Sequence, residues 1–396
     1  MSNVAIIGTG ECPNGKYPDR SPMGTAVDVA AQAIADAGLE RQDIGAILTA
    51  PAFGDSDLNT DLTFGRLTQE LGLRGKTRYS FAVNQGGTTG ADMLRVAAGM
   101  IASGEVKHVL CLHADNFSNL TPEQVYKFFA TAGFNREFET PLGMTYNAIP
   151  GLAAHRYMYE TGTTAEQLAS VAVSHRMWAE LDPNAAYRKP LSIEDVLNSP
   201  IPQSPLHNFE IPVSVDGASA FVVTSADIAE KQVDRPAYVH ADASRVNTWS
   251  FTQYDDITRM NWHEVGEAAY KQAGISAKDV DIAEIYMAYP IFDLISLEEL
   301  QFVERGSAGA FVLEGHTRPG GSLPMTTNGG ATSHGHTGSG VGVSMIVEAA
   351  RQVMGKAGDR QVKDVEFVLE TCAGGSYMDA NVTIYGAEKP KKRGNI

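Results

Sequence analysis

Three observations predict an α/β fold built from two similar halves. Strand-like and helix-like segments alternate along the chain, a helix–glycine–strand unit occurs twice, and a long polar helical stretch separates the copies. Alternation of this kind predicts helices packed on a mostly parallel sheet.

The first element is a strand, Val4-Ala5-Ile6-Ile7-Gly8. It is too short, and lacks the basic start, for a signal peptide. The first copy of the repeat follows. Ala33-Ile34-Ala35-Asp36-Ala37 ends a helix, Gly38 caps it, and Asp43 opens a turn into the buried strand around Ala46-Ile47. The second copy runs Ala269-Tyr270-Lys271-Gln272-Ala273, Gly274, Asp279 and then Ile282-Ala283-Glu284-Ile285. A glycine after the last helical residue is the expected helix stop. Gly38 and Gly274 are 274 − 38 = 236 positions apart.

A second pair repeats in the same order. A glycine turn, Asn84-Gln85-Gly86-Gly87-Thr88-Thr89-Gly90, leads into the helix Ala91–Ile101. Its counterpart starts near Gly340 and continues Val341-Gly342-Val343-Ser344-Met345. That pairing gives an offset of 340 − 90 = 250. Further strands are expected at Val109–Leu112, Ala220–Val223 and Phe367–Leu369. The polar insertion contains the loop Ser199-Pro200-Ile201-Pro202-Gln203-Ser204-Pro205. The expected division is a first half of residues 1–115 plus 213–245, an inserted loop or lid domain at 116–212, and a second half at 246–396. A site at the join of the halves is expected, with the insertion shaping the substrate.

Composition narrows the function. A net charge of −16 disfavours broad attraction to nucleic acid or to an anionic membrane. No run of 18 apolar residues predicts a membrane span. Three cysteines, Cys12, Cys111 and Cys372, make no disulfide framework and point to a reducing cytoplasm. The basic tail Lys389-Pro390-Lys391-Lys392-Arg393 reads as a solvated end or a phosphate or partner contact. The glycine stretch at 84–90 lacks the lysine of a P-loop and the spacing of a dinucleotide fingerprint. His334 and His336 form a His-x-His step, but no third ligand stands at suitable spacing, so no metal is expected.

Four motifs stand in order: the glycine turn, Glu284-Ile285-Tyr286-Met287-Ala288-Tyr289, the stretch Asn328-Gly329-Gly330 to His334-Gly335-His336, and Cys372-Ala373-Gly374-Gly375. With the repeat and the insertion, they resemble the thiolase superfamily, nearest its sterol-carrier-protein-type branch, over about Val4 to Tyr385. The resemblance implies the duplicated α-β-α-β-α layered fold with an inserted loop domain. It puts Gly87 where the nucleophilic cysteine stands, Tyr286 where His or Asn is usual, His336 at the catalytic histidine, and Cys372 at the late acid/base cysteine. The chain ends soon after its last core strand, so no lipid-transfer domain is expected.

A thiolase parks an acyl group on a thiolate, and Gly87 cannot serve. Thr88 or Cys372 would have to attack instead. Retro-aldol cleavage of a β-hydroxyacyl thioester needs no nucleophile. It needs a base for the β-hydroxyl and donors for the enolate oxygen. Tyr286 can move the proton if neighbours lower its pKa from roughly 10, or it is a packed tyrosine at a strand end. Tyr289 and Tyr377 could back it up, with Tyr289 and Asn328 expected to bind substrate. His336 is expected as oxyanion donor or acid/base, Cys372 as proton shuttle or small buried hydrophobe, and Gly87 and Gly374 as turn or oxyanion positions.

The resemblance to thiolase-like steroid side-chain aldolases implies cleavage of a β-hydroxyacyl-CoA, such as one with a steroid or other bulky side chain. The products are a short acyl-CoA and a carbonyl compound. Coenzyme A thioester enters as substrate, with no cofactor in the chain. The resemblance also implies a homodimer and a small OB-fold zinc-ribbon partner that binds acyl-CoA. An acyltransferase using Cys372, and a non-catalytic acyl-CoA or lipid-binding subunit, are the alternatives.

Overall fold

The computed structural model describes residues 3–51, 63–131, 135, 137–248, 250–374, 377 and 379–391. Gly375 of the fourth motif and the tail residues Lys392 and Arg393 lie outside the described residues.

The described strands are β1 (Val4–Glu11), β2 (Ala46–Thr49), β3 (Tyr79–Ala82), β4 (His108–Asp115), β5 (Gly217–Ser225), β6 (Ala237–Val246), β7 (Ile282–Ile285), β8 (Phe367–Cys372) and β9 (Asp379–Gly386). They form one sheet in the order β3-β2-β4-β5-β1-β6-β9-β8-β7. The order is a mirrored duplication. β3-β2-β4-β5-β1 is matched by β6-β9-β8-β7 read backwards, and a parallel bridge from Ala283 to Met325 stands where the second copy of β3 would be. The halves meet where β1 pairs β6 antiparallel, Ala5 opposite Tyr238.

The sheet is mixed, which corrects the mostly parallel expectation. β2–β3, β2–β4 and β7–β8 are parallel, whereas β1–β5, β1–β6, β4–β5, β6–β9 and β8–β9 are antiparallel. A strand buried on both faces reads as a continuous apolar run in either direction. Connection length decides instead. Residues 373–378 alone join β8 to β9, far short of the roughly dozen a parallel crossover needs.

The repeated unit follows from local chemistry. Helix Pro22–Asp36 starts with Ser21 Oγ accepting from Gly24 N–H at 3.2 Å and ends before Gly38, whose φ is 64°. Helix Trp262–Ala273 ends at Gly274, φ 78°. Both positions need the left-handed region that glycine enters freely. Each helix is followed by a capped turn, where Asp43 accepts from Glu40 N–H and Asp279 from Ser276 N–H, both at 2.8 Å.

The two inner helices, Thr89–Ala102 and Val341–Met354, each follow a single 3-10 turn. Their offset is 341 − 89 = 252, so the partner of Gly90 is Gly342, two residues beyond the expected Gly340. The helices touch at these glycines: a Cβ on Gly90 would lie 2.8 Å from the Gly342 carbonyl carbon. Met93, Leu94, Val343, Ile346 and Val347 fill the core around that crossing, each worth roughly 1.5–3 kcal/mol when fully buried.

Between β4 and β5 run the helices Pro122–Thr131, Ala148–Thr161, Ala165–Leu181 and Ile193–Leu197. The third begins with a reciprocal box in which Thr164 and Gln167 each accept the other's backbone N–H. Tyr157 and Leu168 pack this insertion into the core of the second half with Phe292 and Leu294. Residues 199–205 form a loop. No helix among the described residues is long and apolar enough to cross a membrane.

Candidate active site

The glycine turn is closed by its own threonines. Gln85 N–H donates to Thr89 Oγ1 at 3.0 Å, and Thr88 Oγ1 lies 2.8 Å from both the Gln85 carbonyl oxygen and Asp379 Oδ2. Asp379 also accepts from the Gly374 N–H. This carboxylate therefore ties the turn before the first inner helix to the turn after β8. Thr88 is held in that tie, and the Gly374 amide is committed to Asp379 rather than to an oxyanion.

Gly87 has no space for any side chain. A Cβ there would sit 1.9 Å from the Ala373 carbonyl oxygen and 2.8 Å from Tyr286 Cε1. The phenol ring and the neighbouring turn occupy the room that any side chain at position 87 would need.

Tyr286, at the end of β7, is fixed by its N–H donating to Thr371 Oγ1 at 3.0 Å. Its hydroxyl lies 3.3 Å from His336 Nε2. The Gly338 N–H donates to His336 Nδ1 at 3.2 Å, which assigns the proton of the neutral ring to Nε2. Burial pushes His336 down to about 4, so the ring is neutral at pH 7 and its Nε2–H is a donor. Burial, followed by Tyr146, Cys372 and Tyr289, pushes the Tyr286 phenol well above its ordinary value. That is opposite to the lowering a resting base would need. Tyr286 rests as a neutral phenol.

A cavity of ~610 Å³ opens onto His336, with Tyr286 behind it and absent from the described lining. Its floor includes His336 and Tyr289. Phe117, Leu120, Val125, Phe129 and Tyr146 of the insertion form its walls, with Ile211 and Pro212 closing one side. Lys16 is the single cation among the described lining residues. The Phe129 ring meets His336 edge-on at 5.7 Å and tilts against Tyr146 at 5.8 Å. Tyr289 donates to Asn147 Oδ1, tying the floor to the insertion.

The remaining expected residues lie elsewhere. Cys372 is fully buried beside Tyr286, Ala91, Val341 and Met345, and its thiol donates to Glu370 Oε1 at 2.9 Å. Burial and then Glu370 push that thiol well above its ordinary value, so it is protonated and does not line the cavity. Tyr377 is buried at φ 61° with its ring 3.9 Å from Phe292. Its backbone carbonyl accepts from the Tyr254 hydroxyl. Asn328 Oδ1 accepts from Gly330 N–H at 2.9 Å, so this side chain builds the turn before His336 and is absent from the described lining.

His334 points away from His336 into a buried charge network. Its Nε2 lies 3.6 Å from Glu11 Oε1 and 3.5 Å from Asp182 Oδ2, and Arg360 joins Asp182 to Glu348. Among the described residues, no three His, Cys, Asp or Glu side chains are grouped to hold a metal ion. Phe129, Tyr146, Asn147 and Asp379 escaped the sequence reading. Tyr146-Asn147 directly before a helix was the one available signal for two of them.

Comparison with known proteins agrees with this architecture. Residues 243–387 match the family described as thiolase C-terminal domain-like. The acetyl-CoA acetyltransferase of Methanothermobacter thermautotrophicus is 30% identical over 97% of this chain and 100% of its own. The 17-hydroxy-3-oxo-4-pregnene-20-carboxyl-CoA lyase of Mycobacterium tuberculosis is 31% identical over 94% of this chain and 96% of its own. A solved structure, the Ltp2-ChsH2(DUF35) aldolase, superposes with a TM-score of 0.83 at 28% identity, covering 98% of each chain. The duplicated sheet, the paired inner helices and this full-length similarity together show that the chain belongs to the thiolase superfamily.

Proposed function

We propose that the chain is a carbon–carbon lyase that splits a β-hydroxyacyl-CoA by retro-aldol cleavage, releasing a short acyl-CoA and a carbonyl compound. One observation carries this reading: the nucleophile position is filled by the Tyr286 ring and the Ala373 carbonyl. An acyl-enzyme at Gly87 has neither a group to form it nor space to hold it. Cys372, buried and protonated, is a poor substitute.

The chemistry then balances without a covalent intermediate. The β-hydroxyl loses its proton and its oxygen forms the new carbonyl. The Cα–Cβ electron pair moves into an enolate thioester, which takes one proton at Cα. His336 Nε2–H is the donor for the thioester oxygen as charge grows on it. Tyr286, hydrogen-bonded to His336, belongs to the proton path together with Tyr289 and Tyr377. The apolar cavity suits a bulky hydrocarbon acyl group, and the similarity to a pregnene-carboxyl-CoA lyase supports a steroid-like one. The Ltp2-ChsH2(DUF35) aldolase supports a second, acyl-CoA-binding subunit beside this chain.

The test is an assay with a bulky β-hydroxyacyl-CoA, following release of acetyl-CoA or propionyl-CoA by mass spectrometry, with and without a zinc-ribbon partner. Cleavage with no protein adduct is expected. A covalent acyl-enzyme that requires free CoA to turn over would instead establish the acetyltransferase chemistry named for the Methanothermobacter relative.

A further inference from the structure

A second polar group of residues lies behind the floor of the cavity. Helix Pro290–Glu299 starts directly after Tyr289 and carries Asp293 and Ser296 inward. His175 faces Asp293 from helix Ala165–Leu181, its Nε2 3.8 Å from Asp293 Oδ2. That gap is too long for a direct hydrogen bond. Both Asp293 oxygens, Ser296 Oγ, His175 Nε2 and the Tyr377 hydroxyl have no hydrogen-bond partner among the described residues. Asp293, Ser296 and His175 are at most 1% exposed. Tyr377 packs on Phe292, the neighbour of Asp293, and His175 Nδ1 is 3.1 Å from Thr332, four residues before His336.

Leaving such atoms dry costs about 1–3 kcal/mol each, and buried polar gaps of this kind are where ordered water resides. We propose that Asp293, His175 and Ser296 enclose ordered water that relays the proton of the cleaved β-hydroxyl through Tyr377. The proposal rests on the lyase reading. The β-hydroxyl proton enters at Tyr289, which lines the cavity, and passes to Tyr377, whose hydroxyl is buried behind it; each neutral phenol accepts a proton only as its own leaves. The proton leaving Tyr377 passes to water and onto one oxygen of a protonated Asp293 carboxyl as the other oxygen hands its proton to His175 Nε2, 3.8 Å from Oδ2, which is an imidazolium until the proton returns. The reverse path returns one proton to Cα, so none is gained or lost. Burial pushes the Asp293 carboxyl well above its ordinary value and His175 down to about 4, which favours the uncharged form of each between turnovers.

The test compares Asp293→Asn and Asp293→Leu in the full chain. An apolar isostere relieves a buried unpaired carboxyl, so Asp293→Leu is expected to keep or raise Tm. Both variants are expected to lower kcat by ~10²-fold, with KM within about twofold and a larger slowing in D2O. Wild-type kcat in Asp293→Leu would overturn the relay. A high-resolution crystal structure of the wild-type chain is expected to show water within hydrogen-bond distance of Asp293 and His175, and a dry chamber would overturn the proposal. If the wild-type protein cleaves no β-hydroxyacyl thioester, the lyase reading and the relay fall together. The crystal structure still decides whether the hydrated chamber exists.

Discussion

The two copies of the turn before the inner helices have diverged in opposite directions. In the first half, the turn at 86–88 is pressed against Ala373 and Tyr286 and offers no side chain at position 87. In the second half, the turn at 338–340 has a side chain at the matching position, Ser339, which donates to the Pro51 carbonyl at 3.0 Å. Just before it stand His336, poised as a donor by the Gly338 amide, and Thr337, held 2.9 Å from His113 Nε2. The first-half turn has become a wall, and the second-half turn carries the polar group that lines the cavity. The two halves share a backbone frame, and a tyrosine from the second half fills the space beside position 87 of the first. The frame alone therefore does not fix the reaction; the occupant of the gap between the turns does.

The comparison breaks most completely at the pair that bridges the halves. His336→Ala removes the donor and is expected to lower kcat by ~10²–10³-fold with little change in thermal stability. Tyr286→Phe is expected to lower it by ~10²-fold or more while keeping the ring that fills position 87. Steady-state kinetics with the β-hydroxyacyl-CoA checks both, and full activity in either variant would remove that residue from the mechanism.

Next in size is a matched pair of cysteine variants. Gly87→Cys forces a Cβ into contact with Ala373 and Tyr286, so a loss of about 1–3 kcal/mol or more is expected from overpacking, with no acyl adduct by mass spectrometry. Ser339→Cys, nearly isosteric, is expected to change stability by less than about 1 kcal/mol. Equal denaturation midpoints for the two would show that the turns are not asymmetric after all.

Much of this asymmetry was legible before any coordinates. Gly38 and Gly274 marked the repeat because only a left-handed cap suits those sites, and Gly87 was legible as a position without a side chain. Strand direction was hidden, since β5 and β9 are buried at nearly every position and neither an apolar run nor the polar–apolar alternation from Asp379 to Ile384 tells which way a strand runs. The condition set for Tyr286, a pKa lowered by neighbours, is not met, because burial, the first cause of its raised value, comes from segments far away in sequence. Tyr146 and Phe129 reach the site from the insertion, about 140 to 200 residues before the groups they face, and no periodicity encodes such an encounter. Asn328 was expected to bind substrate and Gly374 to be a turn or oxyanion position; Asn328 Oδ1 instead accepts from the Gly330 N–H, and the Gly374 N–H serves the turn through Asp379.

The buried acids beneath the turns sharpen the comparison through pH. Burial raises Glu370 to about 8, while His336 and His113 are pushed down to about 4. Between about pH 4 and 6.5 the unfolded state holds more protons on the histidines, so their contribution to stability rises with pH. Between about pH 4.5 and 8 the folded state holds the extra proton on Glu370, so its contribution falls as pH rises. Above pH 6.5 the second trend remains, and Glu284, raised to about 8, and Glu210, raised to about 7, add to it, so Glu370 supplies part of the fall. Tm is expected to drop by several degrees from pH 6.5 to 8.5, and Glu370→Gln, which cannot ionise, is expected to flatten that drop. An unchanged slope in Glu370→Gln would show that the acid beneath Cys372 does not retain its proton.

The smallest expected effect tests how far the second-half turn depends on the insertion above it. Phe129 touches His336 edge-on and forms part of the cavity wall, so Phe129→Ala enlarges the cavity without removing any polar group of the proton path. A bulky acyl group loses contact with one ring, which is expected to raise KM about 5- to 10-fold while kcat changes less than about threefold. Short acyl substrates make little use of that wall and are expected to change less, narrowing the preference for bulky over short chains. A fall in kcat with unchanged KM would give the opposite answer: the ring would then be orienting His336 rather than binding the substrate. In that case the insertion would belong to the catalytic apparatus of the second half, and the division between a passive turn and an active one would run through three segments instead of two.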